Sequence, residues 1–489
     1  MKQFLRLTLV AGLAAGCAQA PPEMQAVSAA ADALGGRDRI LAVNTLTLEG
    51  SGTNGNLGQN VTPDGALPNF DVKDFKRTVD LANTRARQQQ TRIPTAPGAN
   101  PQPQIQNFGL DGDVAFNVTP DGAAARQPEL VARERRVEFL LHHPVGIVRA
   151  ALDPAAKLSN PRKAGALDVV DVTTAQGDTL TLAVDSTTHL PASVTSMSYN
   201  ANLGDVAIET AFASYQDVDG LKLPGRLTTK TDKYPTADIT IARSTVNADA
   251  ADLAASADVK SLAAPTPTAM VTVEEVGKGL WFLAGGSHNS VLVEFADHLE
   301  LIEAPQNDVR ALAVIAKARE IKPDKPLTKV VVSHHHFDHS GGIRAAISEG
   351  LTLVTHETNK TLFEDLSQRK HSIVQDALAK NPKPLQIETV GDEAVVKDGA
   401  RTMQLYHVDG SNHAESMVIV YFPAERVLVQ ADLFNPANPN AARLPNLIEN
   451  IQKRKLRVDR HVPLHGPVTT QAQFTKVLET LKVPAATSN

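Results

Sequence analysis

One short run of residues limits what this chain can fold into, because valines lead directly into three consecutive histidines. Residues 331–342 read Val-Val-Ser-His-His-His-Phe-Asp-His-Ser-Gly-Gly. The valine run predicts a buried strand, and the two glycines precede a predicted helix over residues 342–349. Polar side chains at the carboxyl end of a buried strand are typical of chemical sites in α/β domains. The run therefore predicts a layered α/β domain with a polar site at that strand end.

The spacing of these polar residues indicates a metal site. His334 and His336 are two residues apart at an extended strand end, so their side chains point the same way. Asp338 and His339 follow where the chain turns. Imidazole and carboxylate together suit zinc and leave a coordination position open for water. The chain has 15 histidines and a single cysteine, which excludes an internal disulfide and a metal site made of cysteines alone.

This pattern resembles the H-x-H-x-D-H signature of the metallo-β-lactamase superfamily. Three later segments resemble further motifs of the family in the same order: residues 410–416 with His413, 426–434 with Asp432, and 462–466 with His465. The resemblance covers about residues 271–489. It implies an αββα sandwich there, which makes the fold class α/β.

The resemblance also implies two zinc ions that share a hydroxide. The implied ligands of the first zinc are His334, His336 and His413. The implied ligands of the second are Asp338, His339 and His465, with Asp432 between the ions. The hydroxide would hydrolyse an ester, lactone, thioester or similar bond in a small molecule. Asp338 is also expected to be catalytic, by orienting the hydroxide and relaying a proton.

Other residues, within and outside the signature, have expected roles that do not include metal binding. His335 and Phe337 occupy its variable positions and are expected to pack around the ligands. His288, in an early turn, is the one further candidate for substrate contact. Packing or surface roles are expected for the remaining histidines considered: His142, His143, His356, His371, His407 and His461.

Two positions narrow the reaction class within the family. His336 stands where related di-iron oxidoreductases carry glutamate, which favours zinc hydrolysis. Asp432 stands where many antibiotic-hydrolysing members carry cysteine or serine, which favours the thioesterase, lactonase, sulfatase or phosphodiesterase branches. Specificity is expected from the loops at residues 359–384 and 436–446.

Two other functions stay open. The first is β-lactam hydrolysis on the same scaffold. The second is a non-enzymatic envelope protein that binds lipid or lipoprotein and keeps a structural metal. The complete ligand set argues against the second, because a structural zinc usually has all four positions filled by protein.

The beginning of the chain predicts export. Residues 1–20 combine Lys2 and Arg6 with an apolar run at 7–15 that is too short to span a bilayer, as in a secretory signal peptide. Cys17 resembles the lipidated cysteine of bacterial lipoproteins, and cleavage after Ala20 is the alternative. The expected location is the periplasm or the outer membrane, with membrane contact only through a lipid anchor at Cys17.

Residues 25–245 predict an antiparallel β-rich domain, since short alternating strands are separated by turns such as 176–178 and 219–220. Helices are expected over 26–34 and within 136–152. The segments at residues 189–193 and 218–226 resemble those of periplasmic lipoprotein-carrier-like folds, and this resemblance implies ligand binding. The alternative is a structural domain that positions the enzyme. Residues 246–270 predict a linker before the domain at 271–489.

The charge balance bears on partners. Lys plus Arg number 48 and Asp plus Glu number 54, for a net charge of −6. This balance offers no basic surface of the kind that releases counterions from phosphates, so nucleic acid is not an expected partner. A small-molecule substrate is the expected partner.

Overall fold

The computed structural model describes residues 21–96, 99, 102–250, 253–266 and 269–483. The predicted signal peptide and Cys17 lie outside these residues. Within the described ranges, no helix has the length and apolar character that a membrane crossing requires.

The amino-terminal part is built from antiparallel strands. Their bounds are β1 (Thr45–Gly55), β2 (Asn69–Asp80), β3 (Arg85–Pro94), β4 (Gln104–Asp111), β5 (Val114–Val118), β6 (Ala124–Arg126), β7 (Lys157–Ala164), β8 (Leu167–Thr173), β9 (Thr179–Asp185), β10 (Pro191–Asn200), β11 (Gly204–Ala213), β12 (Gln216–Val218), β13 (Leu221–Leu223), β14 (Arg226–Thr231) and β15 (Tyr234–Val246). Thirteen of them form one sheet in the order β6-β5-β4-β3-β2-β1-β15-β14-β11-β10-β9-β8-β7, and β12 pairs with β13. The predicted antiparallel β-rich fold is confirmed.

Helices cover one face of this sheet. They are α1 (Pro22–Ala33), α2 (Arg37–Leu41), α3 (Glu129–Arg135), a π-helix (Arg136–Leu141) and α4 (Pro144–Ala151). A further helix, α5 (Ala257–Ser261), belongs to a separate apolar cluster. Val27 of α1 and Ile147 of α4 are fully buried in one apolar cluster with Leu180 and Leu182 of β9. The helix expected over 26–34 is confirmed. The helical segment expected to begin at residue 136 begins at Glu129 and contains the π turn.

The segment predicted as a linker is partly ordered against the sheet. Val259 of α5 packs on Phe116 of β5, and Lys260 forms an ion pair with Asp111. The domain boundaries at 245, 246–270 and 271 stay predictions.

The carboxy-terminal part alternates strands and helices. Its strands are β16 (Thr272–Gly277), β17 (Leu280–Ala284), β18 (Ser290–Glu294), β19 (Leu299–Ile302), β20 (Leu327–Val331), β21 (Thr352–His356), β22 (Ile387–Val390), β23 (Glu393–Lys397), β24 (Thr402–His407), β25 (Val418–Phe422), β26 (Val427–Gln430), β27 (Arg460–Pro463) and β28 (Thr469–Thr470). Its helices are α6 (Asp308–Ile321), α7 (Phe337–Ser340), α8 (Ile343–Ser348), α9 (Lys360–Gln368, after a 3-10 turn at Glu357–Asn359), α10 (Ala377–Lys380), α11 (Leu444–Lys453) and α12 (Gln471–Leu481).

These elements make four layers. The strands β16 to β22 form a seven-stranded sheet and β23 to β28 a six-stranded one. Both sheets bury valines in a shared cluster, including Val331 of β20 and Val429 of β26. Helices α6 and α8 pack on the outer face of the first sheet, and α11 and α12 on the outer face of the second. This arrangement is the predicted αββα sandwich, and the fold class is confirmed.

Parallel strand pairs determine where the site lies. β19 pairs in parallel with β20, and β26 pairs in parallel with β27. The residues just after these four strands include Glu303, Ser333, Asp432 and Leu464. Carboxyl ends of parallel strands meet at one edge of a sheet, so both sheets present loops on the same side of the sandwich.

The two parts of the chain share an apolar cluster. Leu67, Leu203 and Tyr234 of the β-rich part are buried with residues of the first sandwich sheet, such as Leu301. The β-rich part therefore packs directly against the sandwich.

Candidate metal centre

The seven predicted metal ligands come together at the shared edge of the two sheets. His334 and His336 follow β20, and Asp338 and His339 lie in the short helix α7. His413 lies between β24 and β25, Asp432 follows β26, and His465 follows β27. Residues that are 131 positions apart in sequence, counting from 334 to 465, thus meet in one place.

Three histidines form the first group. His334, His336 and His413 have ligand atoms that all lie within 4.8 Å of one another. His334 Nε2, His336 Nδ1 and His413 Nε2 are buried and have no hydrogen-bond partner. Because buried polar atoms are nearly always paired, three unpaired ring nitrogens facing one space indicate a missing electrophile. These residues fit a metal ion.

The second group contains a carboxylate and two of the predicted histidines. His339 Nε2 lies 3.0 Å from His465 Nε2. Asp338 Oδ2 lies 3.6 Å from His339 Nε2 and 3.8 Å from His465 Nε2. Two imidazoles and one carboxylate oxygen directed at one point form a donor set that zinc accepts.

Asp432 lies between the two groups. Its Oδ2 is 3.6 Å from His334 Nε2, 3.5 Å from His413 Nε2 and 2.7 Å from His339 Nε2. The residue has φ of 61°, a left-handed backbone conformation that costs free energy for a residue with a side chain. The surrounding structure therefore imposes the direction in which this carboxylate points.

In three of the candidate ligands, the ring nitrogen that faces away from the shared space is already bonded. His336 Nε2 donates to the carbonyl of Asn60 at 2.9 Å, and His339 Nδ1 donates to Glu303 Oε2 at 2.8 Å. His465 Nδ1 donates to the carbonyl of Ser287 at 3.1 Å. Each such bond fixes the tautomer in which the other nitrogen carries a lone pair.

Burial also favours the neutral form of two of the candidate ligands. Desolvation lowers the pKa of His334 and of His336 well below the usual histidine range, and neighbouring imidazoles add to the effect. A neutral imidazole is the form that binds a cation.

His288, the further candidate, lies in the site. Its Nε2 donates to Asp338 Oδ2 at 2.9 Å, and its ring is 4.1 Å from that of His465, centre to centre. It also joins Asp338, His339 and His465 in a cluster that can hold a metal. His288 therefore contacts the candidate ligands directly, and contact with a substrate stays a prediction.

The other histidines are placed outside the ligand groups. His335 is buried and bonds Ser416 Oγ through Nδ1 and the Asn60 carbonyl through Nε2. Phe337 lies against Gly58. His142 bonds Thr210 and Ser196, and His143 caps α4.

Four further histidines for which packing or surface roles were expected make packing contacts. His356 stacks on His407, with ring centres 4.2 Å apart. His371 lies 3.1 Å from Asp376, and His461 bonds Gln471. The packing roles expected for these residues agree with their contacts.

Sequence reasoning missed Glu303 and Gln59. Glu303 is fully buried and bonds both His339 and the backbone N–H of Ser333, at 2.6 Å. The sequence contains a signal for Glu303, because this acidic residue directly follows the strand β19 at the edge where the site lies. Gln59 donates to Asp338 Oδ1 at 2.7 Å from the β-rich part. It follows a glycine-rich loop and carries no sequence signal.

A polar cavity of about 250 Å³ opens beside the second group. Asp338, Asp432 and His465 line one side, and Asn435, Asn438, Asn440 and Arg443 line the other. Arg443 donates to the carbonyl of Asp432 at 3.0 Å. Part of the 436–446 loop that was expected to determine specificity therefore borders the site.

The sandwich part of the chain is similar to known proteins. Residues 283–457 match the family model of the Metallo-beta-lactamase superfamily. A metallo-beta-lactamase type 2 of Bacillus cereus is 21% identical over 232 residues, which are 44% of this chain and 84% of the relative. A second, of Bacillus sp. (strain 170), is 23% identical over 47% of this chain and 89% of the relative. A linear primary-alkylsulfatase of Pseudomonas sp. (strain ATCC 19151) is 25% identical over 38% of this chain and 43% of the relative.

Two solved structures are similar to part of the chain. A metallo-beta-lactamase from Pontibacter korlensis aligns with 44% of this chain and 100% of its own, at 20% identity and a TM-score of 0.34. The metallo-beta-lactamase DIM-1 aligns with 44% of this chain and 98% of its own, at 17% identity and a TM-score of 0.34. The family-model match over residues 283–457 agrees with the resemblance that the sequence motifs carry.

Proposed function

We propose that the sandwich is a zinc-dependent hydrolase that binds two zinc ions and cleaves an ester, lactone, thioester or similar bond in a small molecule. The observation that carries the proposal is the set of unpaired, buried ring nitrogens on His334, His336 and His413, with the Asp432 carboxylate beside them. The first zinc would be held by the three histidines, and the second by Asp338, His339 and His465. Asp432 would contact both. Bound zinc supplies a hydroxide nucleophile near neutral pH and polarises the bond to be cleaved.

The residues around the ligands have roles that follow from their contacts. Asp338 is exposed to the cavity on one side and is bonded by His288 through Oδ2. A carboxylate at this position can orient a water molecule and accept its proton. Arg443 fixes the backbone at Asp432, and its guanidinium borders the cavity. It can bind an anionic group of a substrate.

The relatives offer two further substrate classes for the same site. Two of them are named as β-lactamases and one as an alkylsulfatase. β-Lactam antibiotics carry a carboxylate and alkyl sulfates carry a sulfate ester, and both anions match the cavity's arginine. Sulfate ester cleavage belongs to the proposed class, and β-lactam hydrolysis is the second candidate.

We also propose that the protein is exported and held at the envelope by a lipid on Cys17. The signal-like residues 1–20 support this. Labelled palmitate should enter the wild-type protein in a bacterial host and should be absent from Cys17→Ala. Equal labelling of the two proteins would contradict the anchor.

The function is tested by metal content together with a substrate panel. Wild type, His334→Ala and the control His189→Asn would be purified and assayed against lactone, thioester, alkyl sulfate, phosphodiester and β-lactam substrates. His189 is an exposed turn residue with φ of 58°, which asparagine tolerates, and it is remote from the ligands in sequence.

We expect about two zinc ions per chain and one metal-dependent activity in wild type and in the control. His334→Ala should lose at least one zinc and the activity. Zinc bound without turnover of any substrate would contradict the hydrolase. It would favour a structural metal and a binding role for the β-rich part.

A further inference from the structure

The loop that joins β1 to β2, residues 56–68, leaves the β-rich part and lies on the metal centre. We call it the bridging loop. Asn60 is 4% exposed, and Leu67 is buried in the apolar cluster of the sandwich. The loop is therefore packed against neighbouring residues at these two positions.

Backbone hydrogen bonds fix the bridging loop to the segments that carry the ligands. The N–H of Phe337 donates to the carbonyl of Gly58 at 3.1 Å, and the N–H of Glu415 donates to the carbonyl of Val61 at 2.8 Å. Phe337 lies between His336 and Asp338, and Glu415 lies two residues after His413. The loop thus bonds both ligand segments of the first histidine group.

The carbonyl of Asn60 orients one ligand directly. It accepts from His336 Nε2 at 2.9 Å and from His335 Nε2 at 2.8 Å. With the proton of His336 on Nε2, the lone pair is on Nδ1, which is the buried nitrogen that lacks a partner. A backbone group of the β-rich part therefore sets the tautomer of a candidate zinc ligand.

The side chain of Gln59 orients a second ligand. Its Nε2 donates to Asp338 Oδ1 at 2.7 Å, across 279 positions in sequence. This bond holds one carboxylate oxygen, so that Oδ2 is the oxygen facing His339 and His465. The bond selects which oxygen is presented to the second group.

Local geometry explains how the loop comes so close. Gly58 has φ of +76°, and a β-carbon there would lie 2.2 Å from the ring of Phe337. Asn60 Nδ2 donates to the carbonyl of Gly65 at 2.5 Å, which closes the loop on itself. A side chain at position 58 would force the bridging loop away from the ligands.

We propose that the bridging loop completes the metal centre, with Gln59 as a positioning residue for Asp338 and the Asn60 carbonyl as one for His336. The β-rich part then has a defined task, which is to hold two ligands of the sandwich in their binding orientation. This inference rests on the proposed binding of two zinc ions.

The expected effect is on zinc affinity. Groups that orient metal ligands typically change metal affinity about 10- to 100-fold when they are removed. Gln59→Ala should therefore lower the affinity for one of the two zinc ions by about tenfold and leave the affinity for the other unchanged. Gly58→Ala should weaken both, because it moves the Asn60 carbonyl as well as Gln59.

The experiment measures stepwise zinc affinity of the full chain by competition with a chromogenic chelator, together with visible spectra of the Co²⁺-loaded protein. The variants are Gln59→Ala, Gln59→Met and Gly58→Ala. Gln59→Met keeps the side-chain length and removes only the donor. The matched control is Gln104→Ala, an exposed glutamine that bonds Arg92 within the sheet of the β-rich part.

The proposal requires that Gln59→Ala and Gln59→Met both weaken one zinc and change the Co²⁺ spectrum, while Gln104→Ala matches wild type. It is overturned if both Gln59 variants bind two zinc ions within twofold of wild type. It is also overturned if the methionine variant alone keeps full affinity, because the side chain would then act by packing. If the wild-type protein bound no zinc, that result would instead contradict the proposed function.

Discussion

Glu303→Gln tests how the centre controls the tautomer of His339. The Glu303 carboxylate accepts two hydrogen bonds inside the protein, from Ser333 N at 2.6 Å and from His339 Nδ1 at 2.8 Å. A glutamine of the same shape has one acceptor and one donor group. It can therefore satisfy only one of these two N–H groups.

The magnitude follows from that mismatch. If the amide oxygen faces Ser333, the amide NH₂ faces His339 and moves the ring proton to Nε2, the atom that points towards Asp432 and His465. The metal-free protein makes this change easily, since imidazole tautomers are close in free energy. Zinc binding must then reverse it and leave a buried donor unpaired, which costs about 1–3 kcal/mol. This is a loss of roughly 5- to 150-fold in zinc affinity.

The assay compares zinc affinity by chelator competition with the melting temperature of the metal-free protein. Glu300→Gln is the matched control, because Glu300 is also buried on β19 and bonds His298 rather than a candidate ligand. We expect Glu303→Gln to lose at least fivefold in affinity for one zinc, with little change in the metal-free melting temperature. Zinc affinity within twofold of wild type would refute the tautomer argument.

Three further predictions concern substrate binding, acid stability and the core. Arg443→Met should raise KM about tenfold for anionic substrates and leave KM for neutral esters unchanged in steady-state assays, because one charged hydrogen bond is lost. Burial lowers the pKa of His142 to about 3, against about 6.5 when unfolded, so only the unfolded chain binds this proton between those values. The contribution of His142 to the free energy of unfolding should be complete above pH 6.5 and fall towards pH 3. In urea titrations at several pH values, His142→Gln should make the free energy of unfolding less dependent on pH in that window. An unchanged pH dependence would contradict the prediction. Phe422→Ala, which opens a cavity between the two sandwich sheets, should reduce the free energy of unfolding by about 3–5 kcal/mol in denaturant titrations, and less than 1 kcal/mol would contradict the packing.

The strand before the first four ligands and the strands of the β-rich part could be predicted because their signals are local. The αββα sandwich and the ligands His413, Asp432 and His465 were predicted through the family resemblance. The strand β20 is a continuous apolar run, and His334 to His339 follow it within a few residues. Strands β9 to β11 alternate buried and exposed residues between clear turns. Such patterns depend on period and spacing, which a single chain displays in full.

Other features depend on contacts between distant segments. The start of the helical segment at Glu129 and the π turn at Arg136–Leu141 are decided by packing under the sheet, which overrides local preference. Gln59 has no distinguishing neighbours in sequence, and its partner Asp338 is 279 positions away. The bridging loop is rich in glycine, proline and asparagine, a composition that indicates a loop and not its contacts.

The unpaired atoms link the metal to the stability of the fold. His334 Nε2, His336 Nδ1 and His413 Nε2 are buried without a hydrogen-bond partner. Each buried unpaired polar group costs about 1–3 kcal/mol, so the protein without metal keeps several kcal/mol of unfavourable free energy at this edge. A ligand that binds only the folded state stabilises it according to its concentration and affinity. Zinc binding should therefore raise the melting temperature, and the rise should be smaller in Gly58→Ala, because a displaced bridging loop no longer orients His336 towards the ion.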